Sequence, residues 1–104
     1  MLRAKTARVL TDAELVKVAG QFGLLSEPMR LKILQVLSVR PLTVAKIVAE
    51  TGATQSNISK HLSLLASAGV ITRRKDGQFV YYGVSSPLTL KLCELVHKKL
   101  LNQS

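Results

Sequence analysis

Apolar residues return at helical spacing along most of this chain, and the places where that rhythm breaks mark out its elements. Leu15, Val18, Ala19 and Phe22 lie at i, i+3, i+4 and i+7, while Lys17 and Gln21 fall off the stripe. That is the pattern of a helix with one buried face. Thr11-Asp12-Ala13-Glu14 opens it as a capping box, in which a hydroxyl and a Glu three residues later satisfy free amides. A second helix is predicted from Ser26 as its cap, with Pro28 in the first turn, where a missing N–H costs little. Met29, Leu31, Ile33, Leu34, Val36 and Leu37 surround most of that helix and make it the central core helix. After the Arg40-Pro41 break, Thr43 caps a short third helix that turns Val44, Ile47 and Val48 inward and stops at Gly52. Thr54 caps a fourth helix, which buries Ile58, Leu62 and Leu65 and ends at Gly69. Two short helices separated by about three residues, a Gly among them, have the spacing of a helix-turn-helix.

Beyond Gly69 the rhythm changes. Val70 to Lys75 and Gln78 to Val84 are β-branched or aromatic runs joined at Asp76-Gly77, a tight hairpin signal. Ser86-Pro87 then opens a last helix, Leu88 to about Leu101. The fold class expected is mainly α with a β-hairpin (α+β): a winged helix-turn-helix of about five helices plus a two-stranded wing.

Composition narrows the partners. The chain has 104 residues, enough for one domain and one core, and it is 47% hydrophobic and 20% charged with no low-complexity run, so it folds. Fifteen Lys and Arg against six Asp and Glu give a formal charge of +9. Such an excess favours nucleic acid or an anionic membrane, although it also serves plain solubility. The basic residues are spread among helices and wing and are not gathered on one amphipathic helix, which argues against a membrane surface. Few acids and two histidines make no nucleophile-base or paired-carboxylate set, so the expectation is that the chain is no enzyme. A single cysteine, Cys93, forms no internal disulfide, and the start of the chain shows neither a signal peptide nor a transmembrane run. The expected location is cytoplasmic. Residues 1–10, with Arg3, Lys5 and Arg8, read as a basic N-terminal tail, and residues 11–102 as a DNA-binding and dimerisation domain.

The fourth helix carries the candidate chemistry. Opposite its apolar stripe lie Gln55, Ser56, Ser59, Lys60, Ser63 and Ser67, with no acid among them. Short hydrogen-bonding side chains near a helix N-terminus read base edges or hold phosphates. Taken alone, such a stripe is equally a solvated face. Arg73, Arg74 and Lys75, running straight into the hairpin turn, put three cations where a wing reaches a phosphate backbone or minor groove, and the pair of features points to DNA. With Asn57 and His61, the full set of DNA-contact candidates is Gln55, Ser56, Asn57, Ser59, Lys60, His61, Ser63, Arg73, Arg74 and Lys75. His61 projects toward the edge of the apolar side, so helix packing and base contact both fit it.

Three stretches, Leu25-Ser26-Glu27-Pro28-Met29-Arg30-Leu31-Lys32-Ile33-Leu34, Thr54 to Leu65 (TQSNISKHLSLL) and Gly77 to Tyr82 (GQFVYY), closely resemble the ArsR/SmtB-type repressors, over roughly residues 12 to 100. The resemblance implies a homodimeric winged helix that sits on operator DNA and leaves it when a metal ion or reactive chemical binds. It places Gln55, Ser56, Ser59 and Lys60 at the recognition-helix contacts and Arg73 and Arg74 on the wing. The effector sites of such proteins do not carry over. Thr43 and Ala45 stand where third-helix thiolates would bind metal, Ser86, Leu88 and a lone His97 where last-helix acids and histidines would, and Gln35 and Leu101 where a dithiol pair would. No metal site and no cofactor is expected.

Cys93 remains as a possible effector thiol for an unknown small-molecule or redox signal, with His97 one helical turn on, although it also reads as a small buried hydrophobe. Leu88, Leu92, Leu95, Val96 and Leu100 form an apolar arc wider than one core contact requires. The predicted dimer interface is Leu15, Val18, Phe22, Leu88, Leu92, Leu95 and Val96. An effector-independent or architectural winged helix, and a protein-interaction winged helix without a DNA site, are the alternatives.

Overall fold

The structure is a computed structural model that describes residues 9–103; Arg3, Lys5, Arg8 and all but the last two positions of the expected tail lie outside the described residues. The chain runs α1 (Asp12–Leu24), α2 (Pro28–Leu37), α3 (Val44–Thr51), α4 (Gln55–Ser67), β1 (Ile71–Asp76), β2 (Phe79–Val84) and α5 (Pro87–Asn102). The two strands form one antiparallel hairpin. This is the helix order and wing that the hydrophobic pattern predicts.

Local chemistry explains most boundaries. At α1 the capping box is closed in both directions: the Glu14 amide donates to Thr11 Oγ1 at 3.1 Å and the Thr11 amide to Glu14 Oε1 at 2.9 Å. Thr43 and Thr54 cap α3 and α4 by accepting from the amides of Lys46 and Asn57. The α4 terminus is a Schellman motif, with Val70 N–H donating to the Leu65 carbonyl, Gly69 N–H to that of Ala66, and Gly69 at φ 76°. Two sequence expectations shift by one residue. The cap of α2 is Glu27, whose carboxylate accepts from the Met29 amide, because Pro28 holds its predecessor extended at φ −111°. Ser26 instead donates its hydroxyl to the Gly23 carbonyl. The hairpin turn is Gly77-Gln78, not Asp76-Gly77: Asp76 pairs with Phe79, and Gly77 alone has positive φ, as a type II′ turn requires.

The core is built from α2 (Ile33, Leu34, Leu37), α3 (Ile47), α4 (Ile58, Leu62, Leu65), the connector residue Leu42, and Val70 and Ile71 at the start of the wing. Burying each large aliphatic side chain is worth about 1.5–3 kcal/mol. Polar ties fix the turn between α3 and α4. Thr51 donates its hydroxyl to the Ile47 carbonyl and accepts from the Ala53 amide, while Lys32 Nζ reaches the Thr51 carbonyl from α2. Leu42 and Tyr82 exchange two backbone hydrogen bonds of 2.8 and 2.9 Å, clipping the hairpin to the α2–α3 connector. Gly52, at φ 77°, ends α3, and a Cβ there would meet no neighbouring atom within 4 Å. Gly52→Ala is therefore expected to cost about 1 kcal/mol through the left-handed backbone alone, read as a lower denaturant midpoint with unchanged m-value.

The helices at the two ends behave differently. Neither α1 nor α5 contains a buried residue. The stripe predicted to be the buried face of α1 stays open in the protomer, with Leu15 50% and Phe22 55% exposed. Leu31, counted with the core side of α2, also points away from it. Together Phe22, Leu25, Leu31, Leu92, Cys93, Val96, His97 and Leu100 line a groove of about 360 Å³ between these helices.

Candidate nucleic-acid interface

Burial sorts α4 into two faces. Ile58, His61, Leu62 and Leu65 are buried, whereas Gln55, Ser56, Asn57, Ser59, Lys60 and Ser63 are exposed. The apolar stripe holds the helix down, so the polar candidates project outward from a fixed base. Leu64, half-exposed, interrupts their flank. From Thr51 to Lys75 the chain carries no Asp or Glu. Nothing on α4 itself therefore opposes an anion, and the first-turn amides and the positive end of the helix dipole favour one.

His61 departs from the candidate set. Its side chain is turned inward, the residue is 8% exposed, and its Nδ1 accepts from Arg30 Nε at 3.2 Å. Its position beside the apolar stripe draws the ring into the α2–α4 packing and away from any groove that the exposed face meets.

On the wing, strand alternation separates the cations. Arg73 and Lys75 lie on the face of Val80 and Tyr82, and Arg73 Nε donates to the Tyr82 hydroxyl at 3.3 Å. Arg74 lies on the opposite face, its guanidinium 5.6 Å from the centre of the Tyr81 ring and 3.7 Å from Asp76 Oδ2. This exposed ion pair is weak, and the ring contact adds a modest attraction. Tyr82 and Arg30, quoted from the sequence only within the stretches that carry the resemblance, are not among the contact candidates. The cross-strand register would have found Tyr82 once the turn was placed; no local signal marks Arg30.

The predicted interface residues Leu15, Val18, Phe22, Leu88, Leu95 and Val96 are all exposed in the protomer, and Leu92 is half-buried. Cys93 is half-buried and lines the α1/α5 groove with His97. Among the described residues no three His, Cys, Asp or Glu side chains converge as metal ligands, and no helix is long and apolar enough to cross a membrane.

Residues 27–73, from the cap of α2 into β1, match the family described as "Bacterial regulatory protein, arsR family". The nodulation protein NolR of Rhizobium meliloti is 36% identical over 81 residues, covering 78% of this chain and 65% of NolR. The transcriptional repressor SdpR of Bacillus subtilis is 35% identical over 65 residues, covering 62% of this chain and 72% of SdpR. The chain belongs to the ArsR family. Among solved structures, the homodimeric winged helix-turn-helix DNA-binding domain of Mb0332 from Mycobacterium bovis superimposes with a TM-score of 0.76 at 28% identity, covering 90% of each chain. This ArsR-family protein is accordingly a winged-helix transcriptional regulator and not an enzyme.

Proposed function

We propose that this ArsR-family protein is a cytoplasmic homodimeric repressor, that residues 11–102 form its DNA-binding and dimerisation unit, and that a small-molecule or redox effector releases it from operator DNA. The observation that carries the reading is the acid-free exposed stripe of α4 beside a cationic wing in the same packed unit. Gln55, Ser56, Ser59 and Ser63 supply the groups that read base edges, and Lys60, Arg73 and Lys75 supply phosphate contacts. Asn57, on the edge of that face, joins the reading set, and Arg74 adds a phosphate contact from the opposite face of the wing, where Tyr81 and Asp76 lie beside it.

A second copy supplies what the protomer lacks. The radius of gyration is 15.9 Å, against about 13 Å for a compact domain of this length. The uncovered leucines and valines of α1 and α5 offer a surface for that copy, and the domain of Mb0332 is homodimeric. Two recognition helices related by a two-fold axis read half-sites about one DNA turn apart.

The deciding experiment titrates the purified protein against its own upstream DNA and a scrambled duplex at moderate salt, before and after alkylation of Cys93. Selective binding abolished by alkylation supports a thiol-linked switch. Selective binding that survives it keeps the repressor and makes Cys93 structural, and absent selectivity refutes the reading. Within the site, Ser59→Ala is expected to weaken operator binding more than random binding. Arg73→Ala should weaken both about equally and reduce the salt slope by about one. Equal losses on both duplexes for Ser59→Ala would remove that residue from base reading.

A further inference from the structure

Arg30 joins three helices through one side chain. It belongs to α2, its Nε donates to His61 Nδ1 on α4 at 3.2 Å, and its Nη1 donates to the carbonyl of Leu24, the last residue of α1, at 3.3 Å. Arg30 is half-buried. Its guanidinium accepts nothing, so the geometry requires the His61 ring to be neutral at Nδ1 and to carry its proton on Nε2.

The apolar contacts of Ile58, Leu62 and Leu65 fix which side of α4 faces the core, but burial is non-directional and sets the finer rotation of the helix less sharply. A hydrogen bond to a buried ring is directional. His61 follows Lys60 and lies one turn beyond Asn57, so the angle at which it is held sets where Ser59, Lys60 and Ser63 meet a duplex. Reading groups need support to within about half an ångström. The second bond continues the connection outward, since α1 ends at Leu24 and both Phe22 and Leu25 line the groove shared with Cys93 and His97.

We infer that Arg30 is a positioning residue for DNA reading, acting through His61, and that it ties the orientation of α4 to the α1/α5 groove. The inference rests on the DNA reading proposed above. It assigns to the buried histidine the work of aiming α4, with no contact of its own to a base.

The test compares His61→Leu, His61→Asn and Arg30→Met with the wild type on operator and scrambled duplexes, with thermal midpoints measured alongside. Leucine fills the site with apolar volume, whereas asparagine keeps a side-chain oxygen that accepts from Arg30. His61→Leu and Arg30→Met are each expected to lower operator affinity about tenfold with less change on scrambled DNA, and the double variant should lose little more than either. His61→Asn should stay within about threefold of wild type even where its midpoint is lower. The opposite order, with Leu retaining selectivity and Asn losing it, would mean that the ring serves packing alone. Nitrogen NMR of the His61 ring gives a readout independent of DNA: a proton on Nε2 is expected, and one on Nδ1 overturns the inference. A wild type with no operator preference defeats the DNA reading and this inference together. A selective wild type matched by His61→Leu defeats this inference alone.

Discussion

Val96→Glu is expected to give a folded monomer whose operator affinity is at least about 100-fold below that of the wild type. Val96 is 51% exposed and stands outside the core of the protomer, so the chain loses little internal packing when it is replaced. In a two-fold dimer closed through α1 and α5, however, the new carboxylate enters an apolar groove beside Phe22 and Leu92, and symmetry repeats it in the partner's half of the interface. Burying an unpaired carboxylate costs several kcal/mol. A monomer holds one half-site and forfeits the linkage that makes the second contact intramolecular. Sedimentation equilibrium at micromolar concentration, with circular dichroism to confirm the fold, checks the first half of this expectation, and duplex titration checks the second. A dimer that persists with the substitution would place the interface elsewhere.

Ile58→Ala attacks the other side of the design. Ile58 is 0% exposed and anchors α4 among Leu34, Ile47, Leu62 and Leu65. Removing most of its side chain is expected to cost about 2–4 kcal/mol, from lost transfer energy and an unfilled cavity. For a domain of this size that lowers the thermal midpoint by on the order of 10–20 °C. Dimerisation adds to apparent stability by mass action, so the comparison holds only at a fixed protomer concentration. Ser56→Ala, on the exposed face of the same helix, should change the midpoint by less than about 0.5 kcal/mol equivalent. Similar losses from both would contradict the division of α4 into a holding face and a reading face.

Much of this architecture was legible because local chemistry and burial agree. Thr11, Thr43, Thr54 and Ser86 cap the helices they were expected to cap, and the i, i+4, i+7 stripe of α4 is buried as the spacing demands. What could not be read depends on relations between elements. Periodicity marks an apolar face on α1 without saying whether the chain itself covers it, and it does not. His61 lies where a helical wheel leaves two directions open; it turns inward, and its partner there is Arg30, thirty-one positions earlier in the chain. The wing cations looked equivalent as a run, yet pairing with Tyr82 on one face and Tyr81 on the other gives Arg73 and Arg74 different neighbours. The shift of the turn from Asp76-Gly77 to Gly77-Gln78 has a local cause, since a glycine at the first central position suits a type II′ turn as well as one at the second suits type I′.

The caps of α4 lie outside its reading stripe. Thr54 starts the helix, the Gly69 motif stops it, and Ile58, Leu62 and Leu65 hold it down. Gln55, Ser56, Ser59, Lys60 and Ser63 are thereby left out of the core and the caps, and the helix becomes a socket into which other side chains can be grafted. A lineage or an engineer can retune operator choice at those positions in small steps, each tolerated by the scaffold, without first finding compensating changes in the core.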